Sequence, residues 1–375
     1  MADKAKDRVV LEGLPRICFE PHEGKVELTP FPSSLKSILE YLDEDYPYEY
    51  LMGTSGASFR MVWKVDGWDP GNIDIILMAE NPREPFDRAF EAVGYTYEFF
   101  GNAGKNNEKD KWYNWIKLAP GHKKPEYLKT RVVESINAGK PVIGFGVVGP
   151  PEACVIAGYN KAGEELIGWS FFQEMEEFNK GVEKEESGYF RKTDWGKDTA
   201  AMLFIGDKKD KPDTKEIYRK ALHWALEIVR TPQVKDHYTG LRAYEAWAEY
   251  MQRNEDFPDD MDILYNRHMV HNDAMTMLAE GRWYAAKFAA MVAGAEPKMA
   301  SELYKAASCY AAMHDIAWEI WGLVDGNDWK PETVKKLRDS GIRHRMAALI
   351  LAARTKDAEA AEHIETALEK TKELK

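Results

Sequence analysis

The sequence predicts an α+β domain followed by an all-helical domain. Up to residue 205, short apolar runs rich in β-branched residues recur, and such runs are typical of buried strands. From Thr214 onward, apolar residues recur at the three- and four-residue spacing of amphipathic helices. Residues 206–212 combine glycine, proline and dense charge, which indicates a linker. We therefore place the domains at residues 1–206 and 207–375.

The first half of the chain mixes extended and helical elements. Residues 8–28 are expected to be extended with a turn at 21–24, and Ser33 and Ser34 offer an N-cap to the helix that follows. Residues 84–93 and 128–138 have the pattern of helices. The apolar runs predicted as strands are residues 61–65, 73–78, 142–148, 154–159, 166–172 and 200–205.

The second half is predicted to be one helix after another, ending in an amphipathic helix over residues 357–374. Many of the twelve tryptophans lie on these helices. We interpret them as packing residues whose indole N–H finds a partner. The alternative interpretation is an aromatic pocket for a flat or cationic ligand. The tryptophans concerned are Trp224, Trp247, Trp283, Trp318 and Trp321.

Composition narrows the class of protein. The 63 acidic residues outnumber the 51 basic ones, and the net charge of −12 disfavours nucleic acid as a partner. The cysteines, Cys18, Cys154 and Cys309, are far apart and form no CxxC, which argues against a disulfide scaffold or structural zinc. The polar N-terminus and the absence of a run of about 18 apolar residues predict a cytoplasmic protein without a membrane span. The sequence leaves the oligomeric state open.

Three stretches resemble a known family. They are Pro-Ser-Ser-Leu-Lys-Ser-Ile-Leu-Glu-Tyr-Leu at 32–42, Leu-Met-Gly-Thr-Ser-Gly-Ala-Ser-Phe at 51–59, and the segment 139–160. On these motifs the chain resembles the family of the N-terminal domain of butirosin-biosynthesis protein H, an acyltransferase-type relative of the double-glycine cysteine peptidases. The resemblance covers roughly residues 10–205. It implies a papain-like fold for the first domain and agrees with a helical second domain.

The residues that perform the family's chemistry are not retained. Papain-type catalysis needs a thiolate at a helix N-terminus, a histidine on a crossing strand and a third polar group that orients the histidine. By the resemblance, the family's His-Cys pair falls on Thr29-Pro30, its base on Glu152 and its third group near Trp169-Ser170. The resemblance therefore implies a scaffold that has lost its nucleophile.

We accordingly expect a non-catalytic protein that binds a small molecule or peptide in a cleft between the two domains, without a cofactor. A glycine-rich turn at residues 53–56 could present backbone N–H groups to an anion, or could simply be a tight connection. It lacks the Gly-Lys-Ser/Thr ending of a phosphate-binding loop. The residues expected near the ligand are Ser33, Ser34, Gly53, Ser55, Glu152 and Trp169.

Two enzymatic alternatives remain at this stage. An acyltransferase or amide hydrolase could use Ser34 or Cys154, with Glu152 as base, although a carboxylate is a poor base for serine and strand cysteines are usually inert. A metal-dependent hydrolase could use His268, His271 and His314 on the predicted helices. The other interpretation of these histidines is that they are satisfied core residues.

Overall fold

Two compact units make up the chain in the computed structural model, and each unit is built from two separate stretches of sequence. The first unit comprises Met1–Leu51 and Ala89–Lys211, and the second comprises Met52–Arg88 and Pro212–Lys375. The residues that the structure describes are 6–20, 26–70, 75–105 and 121–371.

This division differs from the predicted boundary at residue 206. Met52–Arg88 groups with the helical unit, because strand β2 (Val62–Lys64) pairs with β12 (His237–Thr239), far along the chain. The main-chain carbonyl of Ser58 also accepts a hydrogen bond from Arg282 in the same unit. Local sequence pattern identifies a strand but does not identify its partner, so a unit built from two separate stretches has no local signal; the boundary at residue 206 stays a prediction.

The first unit is built on a mixed sheet. Its nine described strands run in the order β4-β3-β10-β5-β6-β7-β9-β8, with β1 paired to β6, and β3 and β4 are parallel whereas every other pair is antiparallel. The central strand β6 is buried over nearly its whole length. The strands are β1 (Val9–Val10), β3 (Tyr95–Asn102), β4 (His122–Lys123), β5 (Val142–Phe145), β6 (Ala153–Asn160), β7 (Glu165–Trp169), β8 (Val182–Lys184), β9 (Phe190–Lys192) and β10 (Ala201–Lys208).

Helix α1 (Pro30–Tyr41) packs against β6. It begins at Pro30, whose ring fixes φ and whose missing N–H would have no partner at that position anyway. Thr29 is the N-cap residue, so Ser33 and Ser34 lie inside the first turns and are not the predicted caps. The helices α4 (Pro125–Asn137) and α5 (Trp195–Asp198) complete this unit, whereas α2 (Tyr48–Thr54) and α3 (Glu84–Val93) each continue from one unit into the other.

The second unit is mainly helical. Its described strands β2, β11 (Gln233–Val234) and β12 form a small antiparallel sheet. A π-helical turn at Met277–Gly281 interrupts the helices. No helix in the described residues has both the length and the apolar character needed to cross a bilayer. The helices are α6 (Thr214–Arg230), α7 (Gly240–Met251), α8 (Met261–Thr276), α9 (Arg282–Ala295), α10 (Ala300–Gly322), α11 (Pro331–Lys335) and α12 (Ser340–Glu369).

Most predicted elements are present with altered bounds. Helix α3 has the predicted bounds, and the predicted strand at 154–159 is β6. The run at 73–78 was predicted as a strand, but its described part, Ile75–Met78, is a 3-10 turn, and residues 73 and 74 lie outside the described residues. Of residues 8–28 only β1 is a strand in the described part, and the predicted turn at 21–24 lies outside the described residues.

Candidate functional site

A cavity of about 280 Å³ lies beside α1 within the first unit. One wall is α1 itself, and the opposite wall is the chain segment 15–20. Side chains of both charges meet there, so the lining of the cavity is polar. The charged, hydroxyl and thiol side chains that line it are Arg16, Cys18, Glu20, Glu27, Ser33, Lys36, Ser37 and Glu40.

Hydrogen bonds hold the segment that forms the second wall. The Ser37 hydroxyl on α1 donates to the Pro15 carbonyl at 2.7 Å. The Trp169 indole N–H donates to the Leu14 carbonyl at 3.1 Å, and the Tyr189 hydroxyl donates to the Leu11 carbonyl at 3.1 Å. The Ser37 bond joins the start of the wall segment to α1, and the other two bonds join the residues just before that segment to β7 and to the residue before β9.

Ser33 is the predicted ligand-binding residue that lines this pocket. Its hydroxyl lies 2.9 Å from the carbonyl oxygens of both Glu27 and Thr29, which share its proton. A serine whose proton is held by main-chain carbonyls has no base to activate it. Ser33 therefore contributes shape and polarity to the wall, and its geometry does not support nucleophilic attack.

Lys36 supplies the buried positive charge of the pocket. Its ammonium lies 3.0 Å from carboxylate oxygens of Glu27 and of Glu40. Burial alone would lower the pKa of Lys36, but the two carboxylates outweigh burial and raise it above its ordinary value. The amine stays protonated at neutral pH, so it cannot act as a nucleophile or form a Schiff base there.

Arg16 links the pocket to a second predicted residue, Trp169. The guanidinium lies 5.8 Å from the Trp169 ring centroid, within cation–π range, and 4.0 Å from the Glu174 carboxylate. Trp169 is buried, and its ring also contacts Tyr189 at 4.6 Å between centroids. Trp169 thus supports a residue of the pocket wall and does not line the pocket with its own face.

The other two predicted residues of the first unit, Ser34 and Glu152, lie away from the pocket. Ser34 is fully buried, and its hydroxyl has no hydrogen-bond partner in the described part of the chain. Glu152 is half-buried in the turn between β5 and β6, where its main-chain N–H donates to the Pro150 carbonyl at 2.7 Å. No hydrogen bond between the described Ser34 and Glu152 side chains supports the proposed serine–carboxylate couple.

Cys154 is placed as an inert core residue. It lies on β6, is fully buried, and burial raises the pKa of its thiol to about 12. The sequence of this unit holds two histidines: His22 lies outside the described residues, and His122 is exposed on β4. Three strands separate β4 from β6, a distance of about 19 Å at normal strand spacing. His122 therefore cannot act as a base for this thiol.

Gly53 and Ser55 belong to the second unit and pack within it. A Cβ at Gly53 would come within 2.3 Å of the Phe288 ring, so glycine is needed there for close packing. The Ser55 hydroxyl accepts a hydrogen bond from the Ala57 N–H at 3.3 Å, and its carbonyl accepts one from the Trp224 indole at 3.4 Å. The tight-connection interpretation fits this segment, since Gly56 also has a φ of 82°.

The three histidines predicted as metal candidates have separate partners. His268 contacts the Asn272 amide at 2.9 Å, and the Trp247 indole donates to His271 at 3.2 Å. His314 lies between the Ala279 carbonyl and an indole of its own helix. Within the described residues, no group of three His, Cys, Asp or Glu side chains is placed to hold a metal ion.

No family model matches the chain, and no curated protein is significantly similar to it. The candidate site therefore has to be argued from its own geometry.

Several pocket residues were not predicted from the sequence. Arg16, Glu27 and Lys36 were missed, and so was the position of Cys18 on the pocket wall. One signal was available: Lys36 is the first charged residue of a helix that is otherwise buried from residue 30 to residue 39. A lone charge on such a helix must reach solvent or a counterion, so it marks a polar recess.

Proposed function

We propose that this protein binds a small molecule or a short peptide without chemical turnover, on a scaffold related to the papain-like cysteine peptidases. The ligand site is the pocket beside α1. The packing of α1 against β6 supports the scaffold part of the proposal, since the papain-like arrangement needs its first long helix on that strand. A ligand cleft between the predicted domains stays a prediction.

The observation that carries the proposal is the state of the reactive groups around the pocket. The Ser33 proton is shared by two carbonyls, the Lys36 ammonium is held by two carboxylates, and the Cys154 thiol is buried with a raised pKa. Within the residues that the structure describes, none of these groups is paired with a base that could activate it. The remaining thiol, Cys18 on the pocket wall, donates from its Sγ to the Glu20 main-chain carbonyl at 3.3 Å, so recognition is the function that the described groups of the pocket favour.

The pocket also favours a particular class of ligand. Its charged lining residues include two cations, Arg16 and Lys36, and three carboxylates, Glu20, Glu27 and Glu40. A ligand with both an ammonium and a carboxylate or amide group complements such a mixture. The volume of about 280 Å³ lies at the lower end of ligand pockets, which suits an amino acid or a dipeptide.

A pair of variants tests this assignment. Free amino acids and dipeptides at millimolar concentration should raise the midpoint of thermal unfolding of the full chain when they bind the native state. Cys18 is half-buried on the pocket wall, so Cys18→Trp places an indole in the cavity, whereas Cys18→Ser leaves the cavity open. We expect the ligand-induced increase to persist in Cys18→Ser and to be lost in Cys18→Trp. An equal increase in both variants, or none in the wild type with any member of the panel, would overturn the assignment.

A further inference from the structure

An exposed aromatic surface lies on the second unit, separate from the pocket. We define the tryptophan patch as Trp283 on α9 together with His314, Trp318 and Trp321 on α10. The ring centroids form a continuous chain: 5.0 Å from Trp283 to His314, 6.0 Å from His314 to Trp318 and 5.1 Å from Trp318 to Trp321. Trp318 is 58% exposed, the largest exposure among the large apolar side chains that the structure describes.

Hydrogen bonds within the protein fix the rings of the patch. The His314 Nδ1–H donates to the Ala279 carbonyl at 2.9 Å in the π-helical turn, and His314 Nε2 accepts from the Trp318 indole at 3.0 Å. The Trp321 indole donates to the Asn272 side-chain oxygen at 3.2 Å. Because the indole N–H groups of Trp318 and Trp321 are occupied, a partner would meet the faces and edges of these two rings.

The Trp318 ring is set at steep angles to its two neighbours in the patch. The Trp318 ring stands at 78° to His314 and at 66° to Trp321, so the rings do not form one flat stacking platform. Faces of aromatic rings are electron-rich, and rings set at steep angles can direct several faces toward one cation. One face is already used in this way, since the Lys287 ammonium lies 5.3 Å from the Trp283 ring centroid.

Two carboxylates beside Trp318 have no counterion among the residues that the structure describes. Asp315 and Glu319 are exposed on α10 and lie four residues apart, a spacing at which like charges repel on one helix face. Within the described residues neither forms an ion pair, and no basic side chain lies over the Trp318 ring. The other positions three and four residues away from either carboxylate hold no basic residue either; these are Ala311, Ala312, Ile316, Trp318, Gly322 and Leu323.

We propose that the tryptophan patch binds an organic cation, an alkylammonium or guanidinium group, over the exposed Trp318 ring and beside Asp315 and Glu319. A metal ion is not the occupant that the geometry favours, because no third donor joins the two carboxylates in the described part of the chain. The site lies in the second unit, so its test is independent of the pocket beside α1.

Choline and its uncharged analogue 3,3-dimethylbutan-1-ol form a matched pair of probes, since they have the same shape and differ in charge. Binding to the full chain can be followed by saturation-transfer NMR of the methyl protons, in buffers of equal ionic strength. We expect choline to bind about tenfold more tightly than the alcohol, as expected for a cation–π contact helped by two carboxylates.

Three variants locate the site. Trp318→Leu should weaken choline binding about fivefold or more, and Asp315→Asn with Glu319→Gln should weaken it severalfold while leaving the alcohol unaffected. Trp329→Leu is the control, because Trp329 is 52% exposed on the same unit but lies outside the patch. Since the acidic pair is exposed, its variant keeps the test valid if Trp318→Leu folds poorly.

Equal affinity for choline and the alcohol would overturn the proposal. An unchanged affinity for choline in both the Trp318 and the carboxylate variants would overturn it as well. So would self-association of the chain through the patch, measured by sedimentation, on which choline has no effect.

Discussion

At the scale of single residues, the second unit contains a buried ion pair between Arg282 and Asp357. The guanidinium donates to the Asp357 carboxylate at 2.7 Å and to the carbonyls of Ser58 and Arg60 at 2.8 and 3.0 Å. The Tyr244 hydroxyl donates to the same carboxylate oxygen at 2.9 Å. The network joins α9, α12, α7 and the segment after α2.

Removing one partner of this pair should be costly. Arg282→Met leaves the Asp357 carboxylate buried without its cation, and we expect the free energy of unfolding to fall by about 3–5 kcal/mol. Tyr310→Phe is the matched control, because Tyr310 is equally buried but its hydroxyl has no partner in the described residues. Its cost should be under about 1 kcal/mol. Urea denaturation measures both values, and equal losses in the two variants would contradict the assignment.

A second prediction at this scale concerns pH. His271 is fully buried, and burial lowers its pKa to about 3, with a smaller contribution from His268. Between pH 6.5 and pH 3 the unfolded chain binds a proton at this residue and the native chain does not, so acid favours unfolding. Native stability should therefore fall by up to about 1.4 kcal/mol per pH unit from this residue as the pH drops below 6.5.

The pH prediction can be isolated with one variant. His271→Gln does not titrate but can still accept the hydrogen bond from the Trp247 indole. Between pH 6.5 and pH 5 its stability should depend less on pH than that of the wild type. Carboxylates in ion pairs do not contribute to the pH dependence between pH 6.5 and pH 5. The pKa of a group such as Glu302 is lowered in the native state, so its protonation reduces stability only below about pH 4.5. Parallel pH profiles for both proteins would show that His271 is not the residue responsible.

At the scale of elements, a substitution at Gly53 on α2 distinguishes a packing role from a ligand-binding role for this residue. The sequence allowed Gly53 to be part of an anion-binding turn, whereas the structure places the Phe288 ring directly over its Cα. Gly53→Ala should lower the free energy of unfolding by about 1–3 kcal/mol because the added methyl overpacks this contact. Gly294→Ala on α9, where nothing lies within 4 Å, should instead stabilise the chain by about 0.5–1 kcal/mol. Chemical denaturation of both variants gives the comparison, and a neutral Gly53→Ala would contradict the packing role.

The elements also show what the sequence could predict. Periodicity located α3 and β6 closely, because each signal is local. Two-residue strands such as β1 and β4 have no local signal, since they exist only through a partner strand. The start of α1 was misplaced for a different reason. Two serines suggested an N-cap, but the helix begins earlier, at Pro30, whose fixed φ and missing N–H suit the first helical position.

The same limit applies to the candidate site. Ser33 was identified because it lies at the start of a helix in a recognisable motif, and it does line the pocket. Arg16 and Cys18 reach that pocket from a segment without regular structure, and nothing in their local sequence specifies the contact with α1. Gly53 and Ser55 were assigned to the ligand site because a glycine-rich turn could present backbone N–H groups to an anion, but they belong to the other unit.

At the scale of the whole molecule, the discontinuous units have a consequence for fragments. A fragment of residues 207–375 lacks Met52–Arg88, which supplies β2 as a partner for β12 and two carbonyls for Arg282. We expect this fragment to be unfolded or to lack a cooperative transition. A fragment that joins residues 52–88 to residues 212–375 through a flexible linker should unfold cooperatively, as measured by circular dichroism. A stable 207–375 fragment would show that the sequence-based boundary describes an autonomous domain.

The central claim for the whole molecule is that the pocket beside α1 binds a ligand without reacting with it. Alkylation by iodoacetamide, followed at each thiol by mass spectrometry, tests this most directly. Cys18 on the pocket wall should react fastest, and the buried Cys154, with its thiol pKa of about 12, should not react in the folded chain. Cys309 is a half-buried thiol in the other unit and serves as the internal control. We expect an amino acid or dipeptide ligand to slow the alkylation of Cys18 and to leave the alkylation of Cys309 unchanged. The absence of protection by any ligand would show that the pocket does not bind this class of molecule. A covalent acyl adduct that forms from an activated ester, and that disappears in Ser34→Ala or Cys154→Ser, would show that the protein reacts with its ligand.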